Sequence, residues 1–433
     1  MSHHTAIIVG GGPAGLALAV VLGGWHPYYR GSEVFSARYP QLAEYLAPRQ
    51  DTLLGLDFQE LVRTGVAPAD LFRLLHHPRQ KFEELAQVAM EFRQGETLDY
   101  LLLSQEQVGG LWNKAPRNLL TLSPGQWMEF AFYPLAQYAE EQDLALDVNE
   151  LICKTDLIEY YHWVPSRFGQ EEHIHTGEKV TRIEPHERGF LLTSLELETR
   201  CTRQYTCKYL IYAAGQRCQL RRLGVEGEEL PLVTSRYDRP EDFPGHRVMV
   251  VGGGRSADWA ATELHDAGRQ VSYVMRQSRE LHWQLIGDSR HGLPYYARIA
   301  SILEHGSPRM EALYRTRVKR IGRDGRVWLS TGGEERVVQV DHLIKEIGGI
   351  ADYSLFTGFP AALQLEEKYD NYRFQVHQVR THPHNYESID IPNLYAGGYL
   401  AAGIGLVVIA MHGTTYAIAG DLLQKEGRIT PGS

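Results

Sequence analysis

Cysteine is scarce in this chain, and its scarcity removes several options at once. Four cysteines among 433 residues (Cys153, Cys201, Cys207 and Cys218) are too few for a disulfide scaffold. None stands in C-x-x-C spacing, so a redox-active dithiol is not expected. Positive charge is also in short supply. Lys and Arg number 44 against 53 Asp and Glu, a net charge of -9, and no basic cluster breaks the pattern, which argues against a nucleic-acid partner. Long apolar runs are few. Ala6 to Trp25 and Ile391 to Met411 carry no charged residue, but the first holds glycines and a proline in phosphate-turn order, and the second is broken by Gly397, Gly398, Gly403 and Gly405. Neither is expected to span a membrane, and no basic start marks a signal peptide, so the expected location is the cytoplasm. An apolar content of 43% with 22% charge is that of an ordinary globular protein.

What the chain does have is glycine in two telling places. Gly10-Gly11-Gly12-Pro13-Ala14-Gly15 follows the β-branched run Ala6-Ile7-Ile8-Val9, and Gly252-Gly253-Gly254-Arg255-Ser256-Ala257 follows Val248-Met249-Val250-Val251. A strand, a tight glycine turn and a helix let backbone N–H groups approach a pyrophosphate at the helix N-terminus. Two such units in one chain predict two bound dinucleotides. The length agrees, since it allows two to three domains.

The first unit lacks its usual second strand with a ribose-binding acid. Residues from about 26 to 97 show helical spacing, as in Leu71-Phe72-Leu74-Leu75 and Phe82-Leu85-Val88-Met90-Phe92, and read as a helical insertion. The displaced strand is then Leu98 to Leu103, with Ser104, Gln105 or Glu106 at the ribose position. In the second unit the corresponding strand is Gln270 to Met275. Arg276 and Arg279 follow it, where arginine accommodates an adenosine 2′-phosphate, which predicts NADPH rather than NADH. The expected architecture is α/β, with two Rossmann-like domains. Residues 1–242 form the first part of one domain, 343 onward return towards it, 243–345 form the inserted NADPH domain, and 346–433 complete the first domain.

Further motifs follow in a recognisable order. Val108-Gly109-Gly110-Leu111-Trp112 is similar to a G-G-x-W element, and Tyr209-Leu210-Ile211-Tyr212-Ala213-Ala214-Gly215 to a strand ending in A-T-G. Leu232 to Tyr237 and Phe243 to Val248 then lead into the second glycine turn. In this order the chain resembles the class B flavoprotein monooxygenases, which include flavin-containing monooxygenases, Baeyer–Villiger enzymes and amine N-hydroxylases. Leu22-Gly23-Gly24-Trp25-His26-Pro27-Tyr28, Ser123-Pro124-Gly125-Gln126-Trp127-Met128 and the helical insertion look like the branch named after the oxidative-stress-induced growth inhibitor proteins. The resemblance covers most of the chain and is loose over 140–205.

The resemblance implies an enzyme that binds FAD and NADPH and uses a flavin C4a-(hydro)peroxide to oxygenate a small molecule with molecular oxygen. N-hydroxylation of an amine is the leading expectation. A Baeyer–Villiger-type oxygenation and a regulatory, non-oxygenating flavoprotein are the alternatives, and a homo-oligomer stays open. It places Gly10, Gly12, Pro13, Ala14, Gly15, Glu106, Gly110, Trp112, Gly215, Gly398 and Gly405 around FAD, the last opening a helix to about Gln424. Gly252, Gly254, Arg255, Ser256, Ala257, Arg276 and Arg279 fall around NADPH. Leu122 stands where flavin-containing monooxygenases have an asparagine, leaving Ser123, Gln126 and Trp127 as the catalytic candidates. Thr234 replaces the histidine of the Baeyer–Villiger fingerprint, and Tyr399 follows Gly398 where many relatives have aspartate. His162, His173, His175, His291, His382 and His384 lack a third ligand in sequence, so no metal is expected.

Overall fold

The computed structural model describes residues 2–79, 88–369, 375–405 and 408–431. They divide into two compact units, one of residues 1–113, 123–218 and 351–433, the other of 114–122 and 219–350. The inserted domain is therefore larger than the 243–345 expected. Val233–Thr234 pairs in parallel with Leu343 and Ile344, and Gln219–Leu220 pairs with Gly349–Ile350. These ladders move its boundaries out to 219 and 350.

The first unit is built on a seven-stranded sheet. Its centre is the Ser2–Val9 strand, parallel to Tyr100–Leu103 on one side and to Thr202–Tyr212 on the other. The register Ala6 to Tyr100 confirms that the second strand of this unit is displaced to the stretch before Ser104. Along its outer edge, Thr202–Tyr212 pairs first with the antiparallel Gly189–Glu196 and then, at its C-terminal end, with the parallel Leu394–Ala396. The parallel part reads as continuous apolar sequence because helices cover both faces.

Burial explains the two uncharged runs, the first as a covered helix and the second as the Leu394–Ala396 strand followed by the start of the C-terminal helix. In Pro13–Leu22 every residue from Gly15 to Leu22 is buried, and the C-terminal Val408–Lys425 helix packs on it while burying Tyr416 to Ala419, Leu422 and Leu423. Each fully buried Leu, Val or Ile contributes about 1.5–3 kcal/mol. Phe72 meets Tyr416 with ring centroids 4.2 Å apart, tying the insertion to the same core. No helix among the described residues is long and apolar enough to cross a membrane.

The insertion is helical only in part. Glu33–Arg38, Pro40–Leu46, Phe58–Arg63 and Pro68–His76 are helices, as the spacing predicts. Its two ends instead zip together, Trp25–Tyr29 antiparallel to Met90–Gln94. The helical reading of Val88, Met90 and Phe92 is thus corrected: their spacing of two is the period of a strand, and a short apolar run fits both periods. Phe82 and Leu85 lie outside the described residues.

The second unit carries an all-parallel sheet in the order Val233–Thr234, His342–Lys345, Arg247–Val251, Gln270–Val274, Met310–Leu313. An antiparallel three-stranded sheet, Thr316–Ile321, Arg326–Thr331 and Glu334–Gln339, is appended. Asp341 pins the start of the central strand. Its carboxylate accepts from the backbone N–H groups of His246 and Arg247, both at 2.9 Å, and from the Arg247 guanidinium at 2.8 Å. The Arg247 guanidinium and those amides hold the carboxyl down at about 2, below the ordinary 3.8. Its stabilisation is therefore complete above about pH 5 and is lost as pH falls towards 2. Asp341→Asn is expected to lower the stability of the chain at pH 7 by about 1 kcal/mol, after allowing for solvent screening. In urea titrations at a series of pH values, the gap from wild type should close on acidification.

Candidate cofactor and active site

The first glycine turn is shaped by backbone against backbone. Gly10 has φ +118°, a conformation that disfavours side chains, and a Cβ there would lie 2.4 Å from the Ala213 carbonyl oxygen. A Cβ on Gly15 would meet the Gly10 oxygen at 2.0 Å, so the helix starts directly on the turn. Gly12 is different. Its nearest neighbour would be Gly110 Cα at 3.9 Å, which leaves its outer side open. The Pro13–Leu22 helix has no side-chain cap at Gly12, and Pro13 at its first position has no N–H to satisfy. Amide groups and space for a pyrophosphate are thus present together.

Contacts from Gly109, Gly110 and Gly398 converge on this turn. Gly109 N–H donates to the Gly11 oxygen at 2.7 Å, and a Cβ on Gly110 would sit 2.9 Å from Gly12 Cα. Trp112 follows within the short helical turn Gly110–Lys114 and is half-buried. Gly398, at φ +61°, approaches Ala14 so closely that a Cβ would lie 2.6 Å from the Ala14 Cβ. Its N–H donates to Thr414 Oγ1 at 2.9 Å, a link from strand end to C-terminal helix that no sequence motif signals. Glu106 stands just past the displaced strand, three residues after Leu103. Among the described residues, a Cβ built on Gly215 or Gly405 would meet no neighbour within 4 Å. The C-terminal helix is described from Val408, and residues 406–407, between it and the expected start at Gly405, lie outside the described residues.

The second turn repeats the design. A Cβ on Gly252 would come 2.2 Å from the Glu346 oxygen, and Gly254 precedes the Arg255–Asp266 helix, again with no side-chain cap. Arg255, Ser256 and Ala257 form its first turn. Arg276 and Arg279 are both exposed after the Gln270–Val274 strand, and Arg279 lies over the Trp283 ring at 5.3 Å. The helix bearing Arg279 is anchored from beneath. His282 Nε2 and the Tyr273 hydroxyl each meet Asp258 Oδ1 at 2.7 Å, all three side chains being buried.

Ser123, Gln126 and Trp127 occupy a short segment whose side chains are engaged. The Ser123 hydroxyl contacts Met128 Sδ at 3.4 Å, the Gln126 amide donates to Asn149 Oδ1 at 3.3 Å, and Trp127 stacks on His77 with centroids 4.1 Å apart. Leu122 is exposed.

Behind Trp127 the structure gathers residues that sequence reasoning passed over. His76 Nε2 lies 3.0 Å from Glu129 Oε1, His77 Nε2 donates to the Gln126 oxygen at 3.1 Å, and His412 Nε2 donates to the Glu129 oxygen at 3.2 Å. Leu135 N–H donates to Glu129 Oε2 at 2.8 Å. All four side chains are buried. Burial lowers His76 and His412 to about 3 and His77 to about 2, and raises Glu129 to about 8. None of the six histidines singled out from the sequence belongs to this group. The available signals were a histidine pair closing an amphipathic helix and a lone carboxylate in the aromatic run Trp127-Met128-Glu129-Phe130. The insertion also walls a cavity of about 720 Å³ in the first unit, lined by Trp25, Phe92, Phe132 and Phe168 with Arg30 and Arg167. No glycine of the nucleotide turn lines it, so it is not the pyrophosphate site.

The family model described as pyridine nucleotide-disulphide oxidoreductase matches residues 86–398. Among curated proteins, oxidative stress-induced growth inhibitor 1 of Homo sapiens is 23% identical over 98% of this chain and 96% of its own length. Among solved structures, bacillithiol disulfide reductase from Staphylococcus aureus superposes with a TM-score of 0.66 at 18% identity, covering 98% of this chain and all of that one. Ornithine hydroxylase from Pseudomonas aeruginosa does so with a TM-score of 0.61 at 16% identity, covering 98% and 99%. The chain belongs to the pyridine nucleotide-disulphide oxidoreductase family, with FAD and NADP(H) as its cofactors; it is similar along nearly its whole length to the growth inhibitor and shares its fold with the ornithine hydroxylase.

Proposed function

We propose that this protein is an NADPH-dependent monooxygenase that inserts one oxygen atom into a small molecule, most specifically by N-hydroxylating an amine. The observation that carries the reading is the combination of two nucleotide turns with only four cysteines, of which Cys207 is buried and none lies in C-x-x-C spacing. A disulfide-reducing flavoprotein needs a thiol relay, and these positions do not provide a paired one. The reducing equivalents of NADPH would then go to oxygen rather than to a dithiol. A regulatory flavoprotein that does not oxygenate is the second reading, favoured by the full-length likeness to a growth inhibitor.

When bound, FAD supplies the two-electron link between the nicotinamide and oxygen. The chain's own residues do the rest. Free amides of the Gly10–Gly15 turn, beside the open side of Gly12, would hold the pyrophosphate, with Gly110 and Gly398 closing against the turn, and Glu106 would take the adenosine ribose. Arg276 and Arg279 pair with the 2′-phosphate. Trp127, clamped by His77, excludes water from the reacting centre, while Gln126 and Ser123 supply its polar contacts.

Gly12→Val fills the open side of the turn. The folded variant, judged by circular dichroism, should be purified colourless, with little of the FAD carried by the wild type. Arg276→Ala should weaken NADPH in stopped-flow flavin reduction by roughly ten- to a hundredfold while leaving NADH nearly unchanged. An equal loss for both nucleotides would move 2′-phosphate recognition elsewhere. The reaction itself is tested by mass spectrometry with NADPH, isotopically labelled oxygen and a panel of amines, cyclic imines and ketones. A labelled hydroxylamine, nitrone or related N-oxygenated product is expected. NADPH consumption that yields only hydrogen peroxide across the panel would favour the regulatory reading.

A further inference from the structure

Among the described residues, one group brings three potential metal ligands to a point: His76, His77 and Glu129, whose coordinating atoms all lie within 4.8 Å of one another. We propose that this cluster is a buried site for a divalent first-row transition ion, zinc by preference, held by two imidazoles and one carboxylate.

The ligand set suits that class of ion. Nitrogen and carboxylate donors without thiolate fit zinc or iron(II), whereas calcium and magnesium take oxygen almost alone. Metal–ligand bonds of about 2.0–2.2 Å place neighbouring donors about 3.3 Å apart in a tetrahedral set. The 3.0 Å from His76 Nε2 to Glu129 Oε1 is close to such an edge.

The surroundings are those of a supported site. His77 Nε2 donates to the Gln126 backbone oxygen, which leaves Nδ1 as the donor for an ion and fixes the ring, as outer carbonyls do for ligating histidines. Glu129 Oε2 is held by Leu135 N–H, so Oε1 is the oxygen turned to the imidazoles. The His76 side chain is 1% exposed, and its Nδ1 has no hydrogen-bond partner. Nε2 is the His76 nitrogen that faces Glu129 and would hold the ion, so the unused Nδ1 is not itself the ion's donor. Both histidines also sit at the C-terminal end of the Pro68–His76 helix, where the partial negative charge of the unpaired carbonyls favours a cation.

Two segments distant in sequence supply the ligands, one from the insertion and one from the aromatic run. A bound ion would therefore staple the insertion to the flavin-binding unit. This role is independent of the oxygenation proposed above.

The test uses the full-length, flavin-loaded chain with its purification tag removed. Elemental analysis after dialysis is expected to find near-stoichiometric zinc or iron, the element deciding between them. Cobalt(II) substitution should give visible ligand-field bands. Glu129→Gln keeps the shape and hydrogen-bonding capacity of the side chain but removes the anionic ligand, and should weaken zinc more than about a hundredfold in competition with a chromophoric chelator. His77→Gln should do the same, and serves if Glu129→Gln fails to retain FAD. His173→Gln, at a half-buried histidine outside the cluster, should leave metal content unchanged. If wild-type protein takes up neither zinc, iron(II) nor cobalt(II), or if both cluster variants retain the metal, the site does not exist and the cluster is a neutral hydrogen-bonded network.

Discussion

Everything about the nucleotide-binding half of this molecule depends on backbones approaching one another more closely than side chains allow. At the first turn, Gly10 presses on Ala213, Gly15 on Gly10, Gly110 on Gly12 and Gly398 on Ala14. These contacts join the ends of the Ser2–Val9 and Leu394–Ala396 strands to the G-G-x-W segment and the first helix. The result is one rigid concave edge, at the carboxyl ends of parallel strands, where open α/β sheets bind their ligands. Within the turn Gly12 alone is left facing open space, and that asymmetry separates it from the glycines that build the turn.

The apolar core serves the same edge. Because the Pro13–Leu22 and Val408–Lys425 helices bury nearly all their surfaces, the turn cannot shift without opening that core. Thr414 adds a directional restraint, its hydroxyl accepting the Gly398 N–H while donating to the Met411 oxygen. In the second unit, Asp258 plays a comparable part from below by gathering His282 and Tyr273 under the helix that carries Arg279. Both hydrogen bonds fall on Asp258 Oδ1, while Oδ2 is buried with no hydrogen-bond partner among the described residues, so the anchor is made through one oxygen alone.

Packing also changes how the candidate catalytic segment is understood. Gln126 and Trp127 are held by Asn149 and His77, and His77 belongs to a cluster that includes His76, Glu129 and His412. Any movement of Trp127 is therefore felt at the buried imidazoles. That coupling runs through ring stacking at 4.1 Å and a backbone hydrogen bond, both short-range and geometrically strict.

Local chemistry carried much of this protein in readable form. Glycine between a β-branched run and a helix has a narrow set of uses, so both nucleotide turns, the displaced strand before Ser104 and the Gln270 strand were legible from residue order alone. Arg276 and Arg279 could be placed for the same reason, as positions counted from a strand end. Other features were settled only by contacts between distant segments. The pairing of Trp25–Tyr29 with Met90–Gln94 was hidden because Val88, Met90 and Phe92 fit two periodicities. The inserted unit reaches 219 and 350 because short strands there find partners over a hundred residues away. His76, His77, Glu129 and His412 come from three stretches of chain, and a lone histidine or glutamate in an apolar run has no local signature. Spacing records what neighbours along the chain do, whereas burial, ligand convergence and the resulting shifts in proton affinity exist only once the chain has folded.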